Sequence, residues 1–129
     1  MKKETLQKCK HLQHKFLPSR FVNKSGASDW IIITGATSGI GLELAKLAMG
    51  LGHNILLISR DLEKLLVVQR DLHNRKLVTE QKIVVLDIDF SLVTASEYYE
   101  RLSKIMEENQ IDEVKLVCNN VGQGGFSAY

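Results

Sequence analysis

The residue types able to do chemistry gather at four places in this sequence. Thr34–Gly41 reads TGATSGIG, with three glycines, two threonines and a serine in eight residues. Ser59 and Arg60 follow an apolar run, LDIDFS (Leu86–Ser91) carries Asp87 and Asp89, and NNVG (Asn119–Gly122) follows a further apolar run. In the first stretch Gly35 permits a tight turn. Gly39 removes a Cβ where an anion must come close to the backbone, and Gly41 lets a following helix pack tightly. Thr37 and Ser38 can donate hydroxyl hydrogen bonds to anionic oxygens or cap that helix. A helix N-terminus offers unpaired N–H groups and partial positive charge, so the chemistry of the stretch is the binding of phosphate oxygens. The plain alternative is a strand-to-helix turn that holds nothing.

The surrounding elements decide whether such a turn is correctly placed. WIIIT is a continuous β-branched run before the glycines, as for a strand covered on both faces. Ile40, Leu44, Leu47, Ala48 and Leu51 then follow helical spacing, and Gly52 is a natural stop. NILLIS (Asn54–Ser59) is a second buried strand, and Asp61 can cap a helix carrying Leu62, Leu65, Leu66 and Leu72. KIVVLDI (Lys82–Ile88) is a third strand. Thr94 and Glu97 have capping-box spacing before a face of Tyr98, Leu102, Ile105 and Met106. EVKLVCNN (Glu113–Asn120) is the fourth strand, reading as buried. The order β-α-β-α-β-α-β with unbroken apolar strands calls for an α/β fold, a doubly wound parallel sheet with helices on both faces.

Charge divides the chain. Residues 1–28 hold seven Lys/Arg against Glu4, a net +6, and the remainder holds ten against fourteen Asp/Glu, a net −4. Within the basic leader Leu6, Cys9, Leu12 and Phe16 recur at helical steps over residues 2–17, Pro18 ends the pattern, and Asn23–Ser28 reads as a linker. The domain reading is therefore a leader helix and linker over 1–28 and an incomplete Rossmann-type domain over 29–129. A docking helix suits the leader, with weak contact to a membrane surface as a second use. No nucleic-acid motif or aromatic interleaving accompanies its lysines, so nucleic acid is not expected as a partner. Cys9 and Cys118 form no disulfide framework, and the four histidines are too scattered for a metal site. No apolar run is long enough to span a bilayer.

The glycine spacing is G-x-x-x-G-x-G, and with NNVG at the end of the fourth strand it resembles the short-chain dehydrogenase/reductase family. The resemblance covers roughly Asp29 to Gly122. WIIITGATSGIG, LLISR and Val121 look most like the branch of very-long-chain 3-oxoacyl-CoA reductases and 17β-hydroxysteroid dehydrogenases. It implies a Rossmann-type sheet in strand order 3-2-1-4 and a dinucleotide on Gly35, Thr37, Ser38, Gly39, Ile40, Gly41, Ser59, Arg60, Asp87, Asp89, Asn119, Val121 and Gly122. NAD-preferring Rossmann proteins place a carboxylate on the ribose 2′-OH about 20 residues past the glycines. Here Ser59 stands eighteen residues past Gly41, followed by Arg60, and a guanidinium suits a 2′-phosphate. NADP(H) is therefore preferred over NAD(H), although Asp61 would favour NAD if the strand ran one residue further. The resemblance places an adenine-binding Asp in LDIDFS, and spacing does not choose between Asp87 and Asp89. It gives Asn119 and Asn120 to tying the central strands and lining the ribose.

Family chemistry also implies a serine and a Tyr-x-x-x-Lys pair, by which a carbonyl or alcohol exchanges hydride with nicotinamide. No tyrosine here has lysine at the fourth following position: Tyr98 meets Leu102, Tyr99 meets Ser103, and Tyr129 is last. Ser127 and Tyr129 are not assigned as catalysts, so no catalytic residue is expected in these 129 residues. The expectations are an NADP(H)-binding N-terminal portion of an oxidoreductase, inactive alone and using a small carbonyl substrate only if completed by a C-terminal half. The alternatives are a non-catalytic dinucleotide- or partner-binding short form, or a truncation that does not fold stably. The cytosol or the cytosolic face of the endoplasmic reticulum is the expected location.

Overall fold

The computed structural model describes residues 29–122. The leader, its linker and the expectations placed on residues 123–129 lie outside them. The elements are β1 (Trp30–Thr34), α1 (Gly39–Gly50), β2 (Asn54–Ser59), α2 (Leu62–His73), β3 (Ile83–Asp87), α3 (Ala95–Glu108) and β4 (Val114–Cys118). The four strands form one sheet in the order β3-β2-β1-β4, and every pair is parallel. This is the expected partial Rossmann sheet.

Alternation along the strands sends their side chains into two cores. Ile31, Ile33, Ile55 and Leu57 face α1 and α2, where Ala45, Ala48, Met49, Leu65, Val68 and Leu72 meet them. Trp30, Ile32, Leu56, Ile58, Leu86 and Ile88 face the opposite side, where Tyr98, Leu102, Ile105 and Met106 of α3 pack. The central strands β1 and β2 are buried along their whole length, which is why they read as unbroken apolar runs.

The helix faces agree with the expected ones in part: Ala48, Leu51, Leu65 and Leu72 are buried as expected, and the others depart. On α1 the buried residues are Gly41, Ala45, Ala48 and Met49, while Ile40 is 72% exposed. The small side chains face the sheet because the helix comes close to it, and Leu44 and Leu47 are pushed to its flank. On α2 the buried stripe is Leu65, Val68 and Leu72, with Leu62 and Leu66 exposed.

β4 also departs from its reading as a buried strand. Leu116 and Val117 are 44% and 48% exposed, and Cys118 is half-buried. Among the described residues β4 pairs with β1 alone, so one side of it has no sheet neighbour. Its register against β1 shifts between Trp30 and Ile31, which pair with Val114 and Leu116. The skipped Lys115 reaches Asp29, Nζ to Oδ2 3.1 Å. The shift exchanges faces as bulges do: Val114 packs with the α3 core, whereas Cys118 packs with the α1 core.

The caps follow the sequence. Asp61 accepts from the Lys64 N–H at 3.1 Å, and Thr94 and Glu97 form both bonds of a capping box. Gly52 closes α1 with φ +87. The buried Gln81 had no sequence signal. Its Oε1 accepts from the N–H groups of Leu77 and Val78. Its Nε2 donates to the carbonyls of Met49 and His53, at 3.0 and 2.9 Å. One amide thus fastens the loop before β3 to the turn after α1. Gln81→Ala strands these backbone groups away from water and is expected to lower unfolding free energy by about 2–3 kcal/mol, measured by urea denaturation; a loss under about 0.5 kcal/mol would contradict the role.

Candidate functional site

The carboxyl ends of the four strands present their loops along one edge of the sheet, and the glycine stretch connects β1 to α1 there. Its conformation rests first on Thr34, a buried side chain at the end of β1. The Thr34 hydroxyl donates to the Cys118 carbonyl at 3.3 Å. It accepts from the N–H groups of Asn120 and Val121 at 2.9 and 3.3 Å. The Asn120 side chain donates in turn to the Gly35 carbonyl at 3.4 Å, and the Gly35 N–H donates to the Ile58 carbonyl at 2.8 Å. Three strand ends are thereby drawn around the turn.

Two glycines in the turn are left-handed, Gly35 at φ +63 and Gly39 at φ +56. They differ in surroundings. A Cβ on Gly39 would meet nothing within 4 Å, whereas one on Gly41 would collide with the Gly35 carbonyl and lie 2.7 Å from Asn120 Nδ2. The Gly41 backbone therefore lies against the turn itself. The space beside Gly39 is open, so the backbone there is accessible to an anion.

Ser38 stands at the N-cap of α1, but its side chain makes no capping hydrogen bond. Of its two expected uses, capping is thus ruled out. The first-turn N–H groups of Gly39, Ile40 and Gly41 have no acceptor among the described residues. They form a row of donors at the positive end of a helix. Thr37 Oγ1 lies 3.3 Å from Ser59 Oγ, which links the glycine turn to the end of β2.

β2 ends at Ser59, and Arg60 follows as an exposed residue with no ion-pair partner among the described residues. Asp61 is directed elsewhere, capping α2 and lying 3.8 Å from Lys64 Nζ. The strand end is therefore not one residue further on, and Asp61 does not occupy it.

Asp87 and Asp89 do not share an extended strand. β3 stops at Asp87, and Asp89 starts a turn in which its carbonyl accepts from Leu92 and Val93. Arg101 of α3 donates to the Asp87 carbonyl at 2.5 Å and reaches its carboxylate at 3.4 Å. The Asp89 carboxylate accepts from the Ser91 hydroxyl and N–H. Those two bonds, with a smaller contribution from the Arg60 charge, hold its pKa below the usual carboxylate value. Asn120 joins the turn, while Asn119, Val121 and Gly122 lie exposed at the same strand end. The sequence reading missed Thr34 as a tie, Ser91 and Arg101. A hydroxyl residue closing an apolar strand is the one signal that marked the first of these.

No group of three or more His, Cys, Asp and Glu gathers to hold a metal among the described residues. No helix among them is long and apolar enough to cross a membrane.

Comparison with known proteins agrees with this geometry. A family model described as short chain dehydrogenase matches residues 29–129. The very-long-chain 3-oxoacyl-CoA reductase of Schizosaccharomyces pombe is 37% identical over 98 residues, covering 75% of this chain and 26% of that protein. The human 17-beta-hydroxysteroid dehydrogenase type 3 is 36% identical over 112 residues, covering 84% of this chain and 31% of that protein. The chain spans about a quarter to a third of the length of the curated relatives it matches. Among solved structures, L-sorbose reductase from Gluconobacter frateurii, complexed with NADPH and L-sorbose, superposes with a TM-score of 0.64. It is 22% identical, with 77% of this chain and 35% of that one covered.

The two glycine environments give a direct test. Gly41→Ala forces a Cβ into backbone and is expected to lower stability by about 3 kcal/mol. Gly39→Ala meets open space and carries only the left-handed backbone penalty of about 1–2 kcal/mol. Urea unfolding of both variants checks the order, and a Gly41→Ala protein as stable as Gly39→Ala would contradict the packing described.

Proposed function

The chain belongs to the short-chain dehydrogenase family, and from that premise we propose that residues 29–122 bind NADP(H) as the cofactor-holding part of a carbonyl/alcohol oxidoreductase. The observation that carries the reading is the β1–α1 turn. Three donor N–H groups, open space at Gly39 and a helix N-terminus without a side-chain cap coincide there. That set fits a pyrophosphate, which brings anionic oxygens and needs backbone close by. In this reading Gly35, Gly39, Ile40 and Gly41 supply the turn and its amides, with Thr37 and Ser38 adding hydroxyls. Bound there, the dinucleotide would supply the hydride-transferring nicotinamide.

Ser59 and Arg60 are proposed to receive the 2′-phosphate. Arg60 is exposed and unpaired among the described residues, and no carboxylate occupies the β2 end. Of the two candidate carboxylates we assign Asp89 to the adenine, with Asp87 behind it. Asp87 is held by Arg101, whereas Asp89 lies past the end of β3, in the turn that follows it. Asn119, Val121 and Gly122 are proposed to border the ribose.

The branch resemblance and the names of the relatives support a substrate carbonyl on a fatty-acyl-CoA or steroid skeleton. The 129 residues contain no Tyr-x-x-x-Lys, so the reading for them is binding. Reduction is proposed for an assembly in which that pair and a serine are supplied. We retain the division into a leader over 1–28 and the dinucleotide-binding unit from residue 29.

Titration of the chain with NADPH, followed by nicotinamide fluorescence, is expected to show saturable binding that Gly39→Val weakens. Arg60→Ala should weaken NADPH by about tenfold, roughly 1.4 kcal/mol, and leave NADH nearly unchanged. Tighter binding of NADH than of NADPH by the unaltered chain would overturn the assignment of Arg60.

A further inference from the structure

β3 stands at one end of the strand order. Among the described residues it pairs with β2 alone, in an unbroken register along its whole length. Its sequence IVVLD has no proline and no charge before Asp87. Strands of that composition pair readily with any strand offered to them. The Lys82 carbonyl accepts from the Ile55 N–H at 3.0 Å, and the Ile88 N–H donates to the Ser59 carbonyl at 2.8 Å. In a parallel ladder alternate residues address the same neighbour. Val84 and Leu86 therefore turn their backbone groups to β2 like Lys82 and Ile88, and Ile83, Val85 and Asp87 turn theirs outward.

The outward carbonyls at both ends of the strand are already taken. That of Ile83 accepts from Gln69 Nε2 of α2 at 2.7 Å. That of Asp87 accepts from Arg101 of α3 at 2.5 Å, and the same guanidinium reaches the Asp87 carboxylate at 3.4 Å. The two donors come from opposite faces of the sheet. Ile83 and Val85 pack with the α2 side, whereas Val84 and Leu86 pack with the α3 side. Each helix thus reaches round to the edge from its own face. The Val85 carbonyl between them is the outward acceptor left to an incoming strand. Every group involved lies between residues 69 and 101, inside the described unit.

We propose that Gln69 and Arg101 guard the β3 edge, preventing it from adding the β3 strand of a second copy of this chain. A second copy is the strand excluded because the edge is self-complementary about Val85. Antiparallel pairing of two copies sets Val85 against Val85 and Ile83 against Asp87. Both outer pairs then need the Ile83 or Asp87 carbonyl as acceptor, and the guards hold these. The central pair alone makes a ladder too short to persist. An incoming strand would also have to part Arg101 from the Asp87 carboxylate.

The test uses the full 129-residue chain carrying Gln69→Met and Arg101→Met together. These side chains keep helix propensity and donate no hydrogen bond. Sedimentation velocity and amide hydrogen exchange are followed over a range of protein concentrations. The double variant is expected to self-associate about tenfold more tightly than the unaltered chain, with exchange at the Val85 N–H slowing as concentration rises. Adding Val85→Pro removes that outward donor, a change an edge strand tolerates, and should return association to the unaltered level. Equal association of the double variant and the unaltered chain would overturn the guard. Association that leaves Val85 exchange unchanged, or that survives Val85→Pro, would also overturn it, because partial unfolding or another surface would then be responsible.

Discussion

The hydroxyl of Thr34 is the interaction on which the site depends. A parallel sheet ends in backbone groups that the ladder no longer pairs, and buried groups of that kind must find partners. Thr34 meets the carbonyl of Cys118 and the N–H groups of Asn120 and Val121 with a single side chain. The end of β4 is thereby fixed against the end of β1. Asn120 is then held where its amide reaches the Gly35 carbonyl. Gly41 has to be glycine because that carbonyl and that amide occupy the space of its Cβ. The position of the helix N-terminus, and with it the direction of its free N–H groups, follows from this close packing. The geometry of the turn proposed to receive the anion is thus set from β4, some eighty residues along the chain.

The same close approach of α1 shapes the rest of the molecule. Small residues against the sheet let the helix sit near β1 and β2, and they displace Leu44 and Leu47 outward. On the other face α3 packs with longer side chains, and its Tyr98 meets Phe90 edge to face at 5.1 Å. The turn carrying Asp89 and Phe90 is therefore braced by α3 as well as by Ser91. The outer strand β4 carries the consequence of its position, with Leu116 and Val117 in solvent. A parallel strand of that composition is suited to cover on both faces.

Much of this was legible in the sequence, for physical reasons. WIIIT and NILLIS read as buried strands because central parallel strands tolerate no polar alternation. Asp61 and Thr94–Glu97 were legible because capping is a local interaction. The buried face of α1 was legible only at Ala48 and Leu51, because hydrophobicity alone favours Ile40 and Leu44, whereas the distance to the sheet selected Gly41 and Ala45. Cys118 read as buried because a strand's composition does not report whether it is an edge. Asp87 and Asp89 remained undivided because the strand end between them depends on pairing with β2. Gln81 and Arg101 were illegible for a further reason: their hydrogen bonds are mostly to backbone groups, which every residue has.

The central claim is that the β1–α1 turn, held by Thr34, receives the phosphates of an NADP-type dinucleotide. Amide NMR of the chain titrated with 2′,5′-ADP tests it without involving the nicotinamide or a substrate. The account predicts saturable shifts at Gly39, Ile40 and Gly41 and at Arg60, with weaker changes at Arg60 when 5′-AMP replaces the ligand. Shifts confined to other parts of the sheet, with these four residues unmoved, would contradict it.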